Sequence, residues 1–273
     1  MIKKKKDFRY IYGPVASWRL GASLGIDLIS QKEKVCNFDC VYCQLGKTLV
    51  FPQQQKTYVP TEAIIAELKS LPEVQLNYIT FSGRGEPTLA ENLGQAIKAV
   101  KEVRSEPVAV LTNSSLMSYP EVREDLSGAD LVVAKLDAYS SDSLSKINRP
   151  QPGIEFDLVV EGIRQFRANS NTRLALQIMF IEENKNRPEE FWPLLDYIQP
   201  DEVQINTPLR HSPIPPLSPE DIFQIKKYFS AYNEHLPEEG KINLVSVYDA
   251  KPKEVFPISD ESTLKRRGKY KNN

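Results

Sequence analysis

The chain has 273 residues, of which 41% are hydrophobic and 26% charged, with a formal net charge of −1. That composition suits a soluble globular protein with a real core. No apolar run approaches the ~20 residues of a membrane-spanning helix. The start Met1-Ile2-Lys3-Lys4-Lys5-Lys6 lacks the apolar stretch of an export signal. With three cysteines in all, these features exclude a membrane span and a secreted disulfide framework. A cytoplasmic protein without membrane attachment, acting as a monomer, is expected. Residues 1–10 and 261–273 each carry a net +4, leaving −9 between them. The basic N-terminal arm and the tail from about residue 250 are read as solvated, flexible ends. Contact with nucleic acid is the alternative.

In chain order, 24–29 reads as a strand and is followed by the run Cys36-Asn37-Phe38-Asp39-Cys40-Val41-Tyr42-Cys43. Residues 61–70 read as a helix, with Thr61 as its cap and Ile64, Ile65 and Leu68 as its apolar stripe. Residues 77–81 form a strand that ends in Ser82-Gly83-Arg84-Gly85-Glu86-Pro87, and 89–103 a helix. The apolar strand 108–111 ends in Thr112-Asn113-Ser114-Ser115. Further strands are expected at 131–136, 173–180 and 202–206, with helices at 154–167, 188–198 and 219–229 and a possible last strand at 242–247. Six repeated strand–helix units imply one domain with a parallel sheet and right-handed crossovers.

Sites in parallel α/β folds form at the C-terminal ends of the strands. Cys36, Cys40 and Cys43 lie at such an end. Three thiolates this close can bind three irons of a [4Fe–4S] cube, which ordinarily takes four cysteines. The fourth iron is then open to a small molecule. Zinc held with His211 or His235, or a redox pair of Cys40 and Cys43, is the alternative. Gly83 and Gly85 let backbone approach a ligand closely, and Glu86 offers a carboxylate for an ammonium. A plain turn is the other reading. The side chains of Thr112, Asn113 and Ser114 either bind a ligand or cap the next helix. Lys135 interrupts an apolar strand and needs a partner, Asp137 or Glu86, unless it contacts substrate or forms a Schiff base. Strand alternation aims Gln177, Gln204 and Asn206 into the barrel. Arg149 and Arg210 are loop residues suited to an anionic substrate.

CxxxCxxC with Tyr42 before its last cysteine resembles the signature of radical S-adenosylmethionine (SAM) enzymes. The resemblance implies a partial (β/α)6 TIM-like barrel, open on one side. It implies that SAM chelates the fourth iron, is cleaved reductively, and yields a 5′-deoxyadenosyl radical that abstracts hydrogen from substrate. Tyr42 then lies near the adenine, and Thr112, Asn113 and Ser114 near the ribose or carboxylate. Ser82, Gly83, Gly85 and Glu86 match the glycine-rich element that binds the SAM amino group, although Arg84 here separates the glycines. Lys135, Gln177, Gln204 and Asn206 would meet the substrate. Residues 12–27, 44–46, 82–89, 135–138, 147–150 and 203–208 are similar to an uncharacterised branch grouped with wyosine tRNA-base synthases and a nitrogenase-cofactor biosynthesis enzyme. Wyosine synthases bear a second cluster, for which no cysteine remains here. A single cluster implies an external electron donor, ferredoxin or flavodoxin. The substrate is either tRNA or a small molecule or peptide.

Overall fold

The segments with strand character pair in the order in which they occur. The computed structural model describes residues 8–249 and 254–267. Its eight-stranded sheet runs β1 (Ile11–Ser17), β2 (Gly21–Ile26), β3 (Tyr78–Phe81), β4 (Val108–Thr112), β5 (Leu131–Lys135), β6 (Arg173–Met179), β7 (Glu202–Asn206), β8 (Asn243–Ser246). Every neighbouring pair from β2 to β8 is parallel. Only β1 is antiparallel, against β2. The sheet curls into an open half-barrel, a partial TIM-like fold.

Each parallel step needs a crossover. These contain α1 (Thr61–Lys69), α2 (Leu93–Val103), α3 (Pro120–Ser127), α4 (Ser141–Ile147), α5 (Phe156–Asn169), α6 (Trp192–Ile198) and α7 (Pro219–Glu234). In α2 the buried residues Leu93, Ala96, Ile97 and Val100 recur at helical spacing and face the sheet. The helix expected from residue 89 starts at Leu93, because Pro87–Leu89 forms a separate 3-10 turn. Thr61 is not the cap of α1: Pro60 holds that position, and the Thr61 hydroxyl accepts instead from Asn92.

Alternation divides the strands cleanly. Val132, Ala134 and Leu136 pack toward the helices with Leu174, Leu176, Ile178, Val203 and Ile205. Leu131, Val133, Ala109 and Ala175 pack inside the barrel, where Leu20 from the β1–β2 turn covers them. Lys135, Gln177, Gln204 and Asn206 share the inner faces of their strands.

The last described helix, α8 (Asp260–Arg267), crosses β1, and Thr263 Oγ1 accepts from Gly13 N at 3.0 Å. It falls within the stretch expected to be flexible. Residues 250–253 and 268–273 of that stretch lie outside the described residues, as does the arm 1–7. No described helix is long and apolar enough to cross a membrane.

Candidate active site

The cysteine loop leaves the C-terminal end of β2 and is clamped on two sides. On one side Val35 N donates to Arg84 O at 3.1 Å and Glu86 N to Val35 O at 3.0 Å, which stitches the loop to the glycine turn after β3. On the other, Asp39 N donates to Asn148 O and Val41 N to Ile147 O, both at 3.0 Å, at the end of α4. Asn37 ties the loop to the end of β4, donating to Ser115 Oγ at 2.7 Å and accepting from Asn113 Nδ2 at 2.8 Å.

All three cysteines are free thiols and partly exposed. Phe38 N lies 3.5 Å and Asn113 Nδ2 3.7 Å from Cys36 Sγ, and Asn148 Nδ2 lies 3.4 Å from Cys40 Sγ. Such donors favour a thiolate. Burial, followed by the charge of Cys40, pushes the Cys36 thiol up to about 12. Cys40 is also raised by burial, with Lys135 opposing. Burial works against the Lys34 ammonium, but the three cysteines raise it above its usual range. Its side chain is 5% exposed and donates to Gly46 O at 3.1 Å. Iron therefore has protons to displace from Cys36 and Cys40. Among the described residues, no three His, Cys, Asp or Glu side chains converge on one ion position. Three sulfurs that each bind a different iron of a cube need no such convergence. The donor set thus fits an iron–sulfur cluster of this kind. His235 is the exposed cap of α7, at the barrel end away from the cysteines.

The glycine turn depends on close approach. A Cβ on Gly85 would lie 1.7 Å from Val35 O, and one on Gly83, at φ +156°, would lie 2.3 Å from the Asp27 carboxyl carbon. Gly85→Ala is therefore expected to push the turn away from the cysteine loop at a cost of about 2–3 kcal/mol. Urea unfolding together with iron content after reconstitution measures this. An unchanged midpoint with full iron loading would refute the contact.

Glu86 is 3% exposed, and both its oxygens are engaged within the fold. Oε1 accepts from Thr88 N at 3.1 Å, Thr88 Oγ1 at 2.8 Å and Thr112 Oγ1 at 2.7 Å. Oε2 accepts from Asn113 N at 2.6 Å. Burial raises the carboxyl above its usual range against the pull of these four donors. The carboxylate joins the ends of β3 and β4. Ser82 Oγ meets the Tyr12 hydroxyl at 2.7 Å, and Ser114 Oγ donates to Lys135 O at 3.0 Å.

Lys135, half-buried at the end of its strand, has a charged partner. Its Nζ lies 3.1 Å from Asp137 Oδ2, donates to Tyr42 Oη at 2.7 Å, and sits over the Tyr42 ring at 4.6 Å. Tyr42 also donates to Asp137, and Asn148 Nδ2 donates to Asp137 at 2.8 Å. Burial and then the Asp137 charge hold the Tyr42 phenol well above its usual range. Asp137 thereby connects the second cysteine, the aromatic of the motif and the β5 lysine. Asn184 buttresses it, donating to Asp137 O and Met179 O at 3.0 Å. Deeper in the barrel the side-chain amides of Gln177 and Gln204 meet at 3.1 Å, and Gln204 donates to Glu202 at 2.6 Å. Asn206 is buried at the upper end of that face. Arg149 and Arg210 are exposed, and Arg210 reaches Gln44 at 3.5 Å beside Cys43. Asn37, Asn184 and Asp27 carried no local motif, so sequence reading did not single them out. Each acts on a segment far away in the chain.

The radical SAM superfamily model matches residues 34–195, which contain the cysteine loop, the glycine turn and Lys135. The chain belongs to the radical SAM superfamily. A UPF0026 protein of Synechocystis sp. is 40% identical over 76% of this chain and 78% of its own. Two solved structures share the fold. TYW1 with a lysine–pyruvate adduct bound has a TM-score of 0.63 at 15% identity, over 85% of this chain and 79% of that one. Streptococcus suis SuiB bound to S-adenosylmethionine has 0.61 at 14% identity, over 78% of this chain and 48% of that one. At such identities the likeness is one of fold alone. As a radical SAM protein the chain is an iron–sulfur, SAM-binding protein built on a TIM-like barrel.

Proposed function

We propose that this radical SAM protein is an enzyme with one [4Fe–4S] cluster, held by Cys36, Cys40 and Cys43 and completed by SAM at the fourth iron. The observation that carries the reading is the direct stitching of the cysteine loop to the glycine turn by Val35, Arg84 and Glu86 at the C-terminal ends of β2 and β3. One ordered surface then presents both the iron ligands and the backbone suited to an amino acid headgroup. When bound, the cluster supplies the electron for reductive SAM cleavage, and the resulting 5′-deoxyadenosyl radical abstracts hydrogen from substrate.

The chain's own residues orient and enclose. Asn113 and Asn148 donate toward cysteine sulfurs. Glu86 fixes Thr112, Asn113 and the glycine turn in place, so it serves the SAM amino group through the backbone it holds. Tyr42, Ser82, Gly83, Gly85 and Ser114 shape the remaining cofactor surface. Lys135, Gln177, Gln204 and Asn206 line the interior that receives substrate. Electrons come from ferredoxin or flavodoxin.

The test is anaerobic reconstitution with iron and sulfide, reduction, addition of SAM, and assay of 5′-deoxyadenosine. A colourless, zinc-loaded protein that leaves SAM intact would overturn the reading. A second substrate class, a tRNA base, rests on the resemblance of the chain's motifs to wyosine tRNA-base synthases, and it is favoured over a small molecule or peptide only if tRNA binds. Such binding, steered by the basic chain ends, is expected to weaken about tenfold or more from 50 to 200 mM salt, measured by filter binding. Binding insensitive to salt, or absent, leaves the small molecule or peptide.

A further inference from the structure

A buried cation brackets the cysteine run. Lys34 stands two residues before Cys36, and its ammonium donates to Gly46 O at 3.1 Å, three residues beyond Cys43. The side chain therefore spans the run from its entry to its exit. Both anchor points are themselves fixed. Val35 N donates to Arg84 O in the glycine turn at 3.1 Å, and Gly46 N donates to Cys43 O at 3.0 Å.

An ammonium whose side chain is only 5% exposed calls for a counter-charge. Asp39 is the one carboxylate within ion-pair distance among the described residues, and it serves poorly. Its Oδ1 lies 3.9 Å from Lys34 Nζ and already accepts from Thr48 N at 2.6 Å. The sulfurs are the other negative groups that bear on Lys34, Cys43 first, then Cys36 and Cys40. The remaining charges around the cysteines do not take over its part. Lys135 acts on Cys40, but Asp137, 3.1 Å from that ammonium, acts on the same sulfur with opposite sign. Glu86 acts on Cys36 and adds negative charge.

Three thiolates leave an assembled cluster negatively charged, and an added electron deepens that charge. Cluster potentials follow net charge, hydrogen bonds to the sulfurs and exposure to solvent. A cation held in place by a carbonyl, where water scarcely reaches, is little screened. We infer that Lys34 is the counter-charge of the cluster: its ammonium favours the reduced state and raises the potential at which the cluster accepts its electron. The inference rests on the proposed cluster at Cys36, Cys40 and Cys43. It assigns Lys34 a positioning role, that of a fixed charge.

The test is a redox titration of the reconstituted full chain without SAM, followed by electron paramagnetic resonance, with iron and sulfide counted in each sample. Lys34→Gln keeps a donor for Gly46 O but loses the charge, and Lys34→Arg keeps the charge. At a fixed potential the ratio of reduced to oxidised cluster should fall about tenfold in Lys34→Gln, which is about 59 mV for a one-electron couple. Lys34→Arg should stay near wild type. Loss of the cluster from Lys34→Gln alone also supports the inference, since the charge is then what the cluster needs. Equal potentials in wild type and Lys34→Gln overturn it. So does an equal shift, or loss of the cluster, in both variants, which would make Lys34 a tether of the loop. A wild-type chain that takes up no iron and sulfide defeats the proposed function and this inference with it. Full loading with unchanged potentials defeats this inference alone.

Discussion

Cys40→Ala is expected to abolish 5′-deoxyadenosine formation and to leave the protein without a stable cluster. Three thiolates are the whole cysteine supply of the chain, so nothing can replace the lost one. Two remaining sulfurs would leave two irons of a cube without protein ligands. The loss should exceed ~100-fold in cluster retention, because removing even an outer hydrogen-bond partner of a metal ligand commonly costs 10–100-fold. Asn148→Ala supplies that milder case: it deletes the donor 3.4 Å from Cys40 Sγ and keeps all three cysteines. Its retention of iron should fall between wild type and Cys40→Ala. Iron and sulfide counts after gel filtration, beside a circular dichroism spectrum to confirm folding, decide both. A Cys40→Ala protein that keeps iron and cleaves SAM would show that Cys40 is no ligand.

The order of these effects reflects what the sequence made legible. The cysteines are local: their spacing is visible in eight residues, and the fold has only to leave them at a strand end. The parallel strands were legible because they are buried on both faces and so read as apolar runs, as in Leu131–Lys135. Lys135 stood out because it breaks that run, and its partner Asp137 lies two residues on. β1 was missed because Gly13 and Pro14 interrupt it and its pairing slips between Tyr12 and Val15. α3 and α4 were missed because each is short and mostly polar: α3 buries only Val122 and Leu126, and α4 is held by the Ser140–Ser143 capping box and three buried side chains. For Glu86 the residue was legible but its partners were not, since Thr112 and Asn113 arrive from the next strand. Arg266 is invisible in this sense: one arginine in the basic run Lys265-Arg266-Arg267 signals nothing until the chain folds back upon it.

Arg266 accordingly carries the largest stability effect that sequence reading did not anticipate. Its Nε donates to Asp27 Oδ2 at 2.9 Å, and the two side chains are 3% and 1% exposed. Nη2 also bonds Arg9 O and, at 2.7 Å, Ser30 Oγ, while Nη1 bonds Ser262 O at 3.2 Å. Arg266→Ala would strand the Asp27 carboxylate at the end of β2, with only backbone donors from Ile29, Ser30 and Arg84 on its other oxygen. Breaking a buried pair from one side costs about 3–5 kcal/mol. For a chain of this size that corresponds to a fall of roughly 10 °C in Tm. The damage should also reach the active site. α8 touches it twice, through Arg84 Nη1 to Lys265 O at 3.1 Å and Gln44 Nε2 to Arg266 O at 3.3 Å. Arg266→Lys should recover little, because an ammonium cannot span Asp27, Arg9 and Ser30 together. Replacing both partners with apolar residues of similar volume should recover much of the loss, since the stranded charge is then gone. Thermal melts of the three variants separate these outcomes. A wild-type melting temperature in Arg266→Ala would mean that α8 does not hold this end of the barrel.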